Sequence, residues 1–146
     1  QEISLKLILG LDRCLEESSC DMYHAPFDVR FPSQTGKTDT VVQPDICIIC
    51  DKSKLDELGC NGAPDLIIEI LSASTSKKDY TEKYSLYEEH GVKEYWIVSP
   101  EGFIEVFVLK DDGYEGLDKL FVGDELKSKT LPELRISLKD IFPEEL

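Results

Sequence analysis

Basic residues are scarce in this chain. Of its 146 residues, 16 are Lys or Arg against 30 Asp or Glu, a net charge of −14 at pH 7. Proteins that grip nucleic acid across a broad face carry a basic footprint, because phosphate contacts drive their affinity. Either this chain binds no nucleic acid, or it does so through a local site where metal ions offset the carboxylates. Histidine is scarcer still, with His24 and His90 the only two. One C-x-x-C occurs, Cys47 and Cys50, and no second pair follows it. Its two thiols fall on a strand-like stretch, "DICIICD", where residues three apart face opposite sides. Zinc chemistry at Cys47, Cys50 and Cys60 is therefore a minor reading. The cysteines, also including Cys14 and Cys20, are odd in number and irregularly spaced, which argues against a secreted disulfide framework. Five reduced, mostly buried thiols are expected, since free Cys behaves as a small hydrophobe. No apolar run approaches the roughly 20 residues of a membrane span. No signal-peptide pattern opens the sequence, so a cytoplasmic location is expected. The first residue is Gln1 rather than Met, which suggests a truncated N-terminus.

What is present is ordinary for a globular protein: 41% hydrophobic and 32% charged residues, long enough for one real core. Residues 2–17 carry helix spacing, with Ile3, Leu7, Leu11 and Leu15 recurring every fourth position and Ile8 and Cys14 alongside. "MYHAPFDVRF" and "VVQPDICIIC" read as strands. The polar "PSQTGKTDT" between them, with Gly36 near its middle, predicts a hairpin. A loop with a short helical turn at 52–57 precedes a third strand at 65–71. Ser76 with Asp79 three later fits a capping box, and Gly91 stops a helix ending near His90. "EYWIVS" is a fourth strand. "GFIEVFVLKDDGYEGL" reads as a strand into a turn at Asp112-Gly113, and short strands lie near "LFVGDEL" and "LRISL". The "ISLKDIFPEEL" ending reads as a strand leading to a capped turn. Strand, crossover helix, strand predicts a right-handed parallel unit beside an antiparallel hairpin. The class is α/β with a mixed sheet, in one domain over 1–146.

"APDLIIEILSAS" holds a carboxylate in an awkward place. Alternation puts Asp65, Ile67, Glu69 and Leu71 on one strand face, and Leu66, Ile68 and Ile70 on the other. A lone ionised carboxylate inside protein costs several kcal/mol unless paired or metal-bound. Glu69 could emerge at the sheet's end, meet a base, or hold a proton. Asp45, directly after Pro44 at the start of the neighbouring apolar strand, adds a fourth option. Two acids at nearby strand ends repel unless a cation lies between them, and Mg²⁺ takes one or two carboxylates plus water. Tyr80, Tyr84 and Tyr87 mark the apolar face of the following helix, and Lys83 points the same way. Lys83 could pair with Asp79 on the helix surface. Alternatively its ammonium is aimed at the acids, where it would stabilise a developing anion. Two carboxylates, a metal and an inward lysine make a phosphodiester-cleaving set.

These residues resemble a known family. "QPDICII…GAPDLIIEILSASTSKKDYTEKYSLYEEHGVKEYWIVSP" looks like the Uma-type restriction endonucleases of the PD-(D/E)XK nuclease superfamily. The resemblance covers about residues 1–110 and is densest over 43–100. It implies a restriction-endonuclease-like mixed sheet flanked by helices, core order α-β-β-β-α-β, here with extra C-terminal strands. It implies a Mg²⁺ (or Mn²⁺)-dependent endonuclease hydrolysing DNA. The superfamily's metal-binding aspartate matches Asp45, and its motif acid matches Glu69. The motif's lysine would fall at Leu71, so the following helix supplies it, at Lys83. The backbone carbonyl of Ile70 would be a further metal ligand. The superfamily often adds an acid from the first helix, for which Glu2 is the candidate and Gln1 an equally placed alternative. Asp65 shares the face of Glu69, but four residues of strand span about 13 Å, so both cannot touch one ion.

Two readings of function compete. One is the metal-dependent endonuclease acting on DNA as a homodimer, with a dimer edge at "GFIEVFVL". The other is a nuclease-fold module, catalytically weak or inactive, that serves as a binding or regulatory partner; the charge of −14 favours it.

Overall fold

Helix α1 (Glu2–Cys14) forms on the spacing noted above, and it buries Leu7 and Leu11 completely. Burying such a side chain is worth about 1.5–3 kcal/mol. The computed structural model describes residues 2–33, 35 and 39–143, and Gln1, Gly36 and 144–146 lie outside it. None of the described helices is long and apolar enough to cross a membrane.

The expected hairpin is present but bent into two sheets. Strand β1 (Asp21–His24) pairs antiparallel with β4 (Ile46–Ile49), while β2 (Val29–Phe31) pairs antiparallel with β3 (Thr40–Val42). Pro26 and Pro44, which lack a ladder N–H, sit where the strands change sheets. At this bend the Ala25 N–H donates to the Asp45 carbonyl, 3.0 Å away. A 3-10 turn at Lys52–Lys54 leads into β5 (Leu55–Asp56) and β6 (Gly59–Asn61), which complete a small sheet of order β3-β2-β6-β5. Gly59 has φ +127°, and a Cβ there would collide with the Asp28 carbonyl, so this close approach requires glycine.

The main sheet adds β7 (Leu66–Ile70), β8 (Glu94–Ser99), β9 (Phe103–Lys110), β10 (Gly113–Gly116) and β11 (Leu120–Phe121). Its order is β1-β4-β7-β8-β9-β10, with β11 also on β9. β7 and β8 are parallel across their helical crossover, and β4–β7 and β8–β9 are antiparallel, which is the mixed sheet expected. β12 (Glu125–Lys127) and β13 (Arg135–Ser137) form a separate ribbon that packs near α1. One sheet face, with Ile46, Ile68 and Trp96, meets α1 and the C-terminal segment. The other face, with Cys47, Ile67 and Ile97, meets Tyr87 from the crossover helices and Phe31 from the small sheet.

Three expectations are corrected. The helix expected from Ser76 to His90 is broken: α2 (Ser76–Tyr80) ends and α3 (Glu82–His90) begins at Thr81. The Thr81 hydroxyl donates to the Lys77 carbonyl at 2.6 Å, the back-bonding by which Thr bends helices. The helix also starts from Thr75 without a side-chain cap bond, not from a Ser76–Asp79 box. Second, the thiols are not all free. The register Asp21↔Ile49 sets Cys20 and Cys50 opposite one another one step beyond, with Cα atoms 4.1 Å apart, and they form a disulfide. Cys14, Cys47 and Cys60 are free. The pairing removes Cys50 from any thiolate zinc site, and it removes one ground for a cytoplasmic location. Third, β9 carries no dimer edge, because β8 covers one side and β10 and β11 the other. The homodimer remains an expectation that would need another surface.

Candidate active site

The register Ile46↔Ile68 between β4 and β7 puts Asp45 opposite Glu69 one step further along. Each acid accepts from a backbone N–H of the facing strand segment. The Asp45 N–H donates to Glu69 Oε1 at 3.1 Å, and the Ile70 N–H donates to Asp45 Oδ2 at 2.7 Å. Glu69 is 1% exposed, whereas Asp45 is half-buried at the lip of the sheet. Glu69 Oε2 accepts a 2.7 Å hydrogen bond from the Tyr87 hydroxyl, and the Lys83 ammonium sits 3.0 Å away. Tyr87 and Lys83 lie one helical turn apart on α3, so one helix face supplies both.

Lys83 makes both contacts that the sequence left as alternatives. Its Nζ is also 3.1 Å from Asp79 Oδ1. The pair with Asp79 is not a surface pair, because Asp79 is 1% exposed. The structure thus brings together Asp45, Glu69 and Lys83, together with Ile70. It does not bring Glu2 to them. Glu2 is exposed and pairs with Lys6 at 3.3 Å, on a helix that covers the opposite sheet face from Glu69. Asp65 sits at the other end of β7, where it accepts from the Cys50 N–H at 2.8 Å and meets Lys93 at 3.3 Å.

Two participants were missed. The sequence weighed Asp79 as a capping-box acid and as a surface partner of Lys83; its i,i+4 spacing to Lys83 was the signal, and burial was what spacing could not show. Tyr87 was read as apolar face, yet its hydroxyl clamps Glu69.

Burial pushes the Glu69 carboxyl above its ordinary range, against the downward pull of Lys83 and Tyr87. Burial likewise raises Asp79, with Lys83 opposing. Burial works to lower Lys83, but the facing Glu69 and Asp79 carboxylates outweigh it and raise the ammonium. Burial, then Glu69, drives the Tyr87 phenol far up, so it remains a donor. Both acids bind protons more tightly folded than unfolded. Their contribution to stability is greatest at pH below the ordinary carboxylate range and is lost as pH rises through their raised values. The Lys83 contribution persists until pH passes its own raised value. The stability difference between wild type and Glu69→Gln should therefore shift in favour of wild type as pH falls from 8 towards 4. Calorimetric scans of both proteins from pH 4 to 8 check this, and a pH-independent gap between them would contradict it.

The donors suit a hard cation. Asp45 and Glu69 offer oxygen only, and intramolecular bonds fix the orientation of each carboxylate. Among the described residues, no group of three or more His, Cys, Asp or Glu side chains forms a complete cage for an ion. Two carboxylates completed by a carbonyl, water and phosphate are the mode in which Mg²⁺ commonly binds.

Comparison with known proteins bears on the family and the fold. A family model described as "Uma2: Putative restriction endonuclease" matches residues 1–139. A crystal structure of a protein from Anabaena variabilis, described as "a putative nuclease", is similar with a TM-score of 0.73 at 21% identity, covering 97% of this chain and 78% of the other. That likeness is one of fold, and it is the restriction-endonuclease-like arrangement. No curated protein matches the chain.

Proposed function

The chain belongs to the Uma2 family of restriction-endonuclease-like proteins, and on that premise we propose that it is a metal-dependent endonuclease hydrolysing DNA phosphodiester bonds. The observation that carries this reading is the Lys83 ammonium seated 3.0 Å from a buried Glu69, which is itself hydrogen-bonded to Asp45. A fold requires no such cluster, because buried charges are often neutral or costly to stability. Asp45, Glu69 and the Ile70 carbonyl would hold Mg²⁺ or Mn²⁺. Such an ion supplies a Lewis acid and a water of lowered pKa. Tyr87 and the Asp45 N–H hold Glu69 in one orientation. Lys83 presents a proton donor and a positive charge where the pentacoordinate phosphorus centre of the transition state would accumulate negative charge. The half-exposed side of Asp45 is the side from which a phosphate could approach.

The test is cleavage of supercoiled plasmid, linear duplex, single-stranded DNA and RNA by the purified protein with Mn²⁺ or Mg²⁺. DNA cutting that stops on chelation is expected. If every substrate stays intact while the protein is folded and binds Mn²⁺ in a calorimetric titration, the endonuclease reading fails. The net charge of −14 favours the second reading, a binding or regulatory module of the same fold. Metal binding without any duplex-DNA binding by fluorescence anisotropy at low salt would support it.

A further inference from the structure

We infer that Asp79 is the positioning residue for Lys83, a role that rests on the endonuclease reading for its catalytic consequence but not for its geometry. Lysine carries its charge on a flexible four-carbon stem. One partner fixes a distance, whereas two partners on different elements fix a place. Lys83 Nζ lies between Glu69 Oε2 at 3.0 Å, on β7, and Asp79 Oδ1 at 3.1 Å, on α2. Glu69 has further obligations to the Asp45 N–H and the Tyr87 hydroxyl. By contrast, Asp79 Oδ1 is buried and faces the Lys83 ammonium 3.1 Å away. A buried carboxylate is costly unless a cation answers it, so its charge is matched to that ammonium.

Asp79 is anchored through its backbone. Its carbonyl accepts a 3.0 Å bond from the Tyr95 hydroxyl, and Tyr95 stands on β8 beside Ile67 of β7. Its N–H donates to the Thr75 carbonyl at 3.0 Å. The next residue is tied down as well, since the Tyr80 hydroxyl donates to Glu105 on β9 at 2.5 Å. The end of α2 is thus pinned to two strands of the sheet that carries Glu69. The break at Thr81 lies between this pinned turn and α3, so Asp79 and Lys83 meet across the junction of two helices. Asp79 touches no reacting atom in this arrangement; it acts through Lys83. Were Glu69 to hold a cation, Asp79 would be the other carboxylate beside the ammonium.

The test compares wild type with Asp79→Asn and Asp79→Glu by three readouts. The first is the ¹⁵N-detected ammonium resonance of Lys83, assigned by its loss in Lys83→Arg. It should be sharp and protected in wild type, lost to fast exchange in Asp79→Asn, and partly recovered in Asp79→Glu. The second is calorimetric Mn²⁺ affinity, expected to change less than about threefold because Asp79 is not a ligand. The third is single-turnover cleavage, expected to fall about 10- to 100-fold in Asp79→Asn at unchanged half-saturating DNA and to recover in part in Asp79→Glu. An unchanged Lys83 resonance in Asp79→Asn overturns the inference, and so does a tenfold loss of Mn²⁺ affinity. If wild type cuts nothing, the endonuclease reading falls alone, and the resonance still decides the position of Lys83. Should Asp79→Asn fail to fold, Asp79→Ser carries the same comparison.

Discussion

Glu69→Gln is expected to abolish Mn²⁺ binding and to lower single-turnover DNA cleavage by about a thousandfold or more, while the protein stays folded. The side chain is nearly isosteric and can still accept from the Asp45 N–H, as Oε1 does at 3.1 Å. What it loses is the anion that an oxygen-seeking cation needs. Lys83→Met should cut the rate about 10²- to 10³-fold, the usual cost of removing one donor aimed at transition-state charge. Unlike Glu69→Gln, it should leave Mn²⁺ affinity nearly intact. The contrast between the two variants is the informative result. Equal losses of metal binding would mean that Lys83 merely stabilises the acids, and undiminished cleavage in either would place the chemistry elsewhere.

Glu94→Ala is expected to destabilise the protein by about 3–5 kcal/mol, lowering Tm by roughly 10–15 °C. Glu94 is fully buried at the start of β8, and no cation is paired with it among the described residues. Its charge is spread instead over hydrogen-bond donors. Oε2 accepts from the Trp96 indole N–H at 2.6 Å, and Oε1 from the Ser128 hydroxyl and the backbone N–H groups of Lys129 and Thr130, at 3.1, 3.0 and 2.8 Å. Truncation strands four donors, two of them, the Trp96 indole N–H and the Ser128 hydroxyl, in buried surroundings. Each stranded buried donor costs on the order of 1–3 kcal/mol, with partial relief as the turn relaxes. Urea unfolding at constant m-value measures this. A change below about 1 kcal/mol would mean that the 128–131 turn finds other partners.

The central order of elements was legible because periodicity and burial coincide there. Leu7, Leu11 and Ile67 sit where alternation or helix spacing requires, and the parallel pairing of β7 with β8 follows from a crossover helix between two apolar runs. Asp45 and Glu69 stood out for the same reason, as acids in runs that should hold none. Other features depend on contacts between distant segments. Cys20 and Cys50 meet only once the β1–β4 register is known. The role of Glu94 could not be read because its Oε1 is filled from residues 34 to 36 positions away. Asp79 was ambiguous because spacing along a helix says who can touch, not whether the pair faces water. The break at Thr81 turns on a side-chain hydroxyl competing for a backbone carbonyl, which propensity alone does not predict.

The bend that divides the long hairpin between two sheets also determines what can approach Asp45. Residues 25–28 on one arm and 43–45 on the other leave the large sheet together, so the strand edge opens immediately beside this acid. An aspartate in the middle of an unbent ladder would be walled in by neighbouring side chains on both flanks. At the divergence Asp45 is only half-buried, with the deeply seated Glu69 opposite it. Changes that straighten this corner should therefore alter the exposure of Asp45 before they disturb the buried bonds of Glu69.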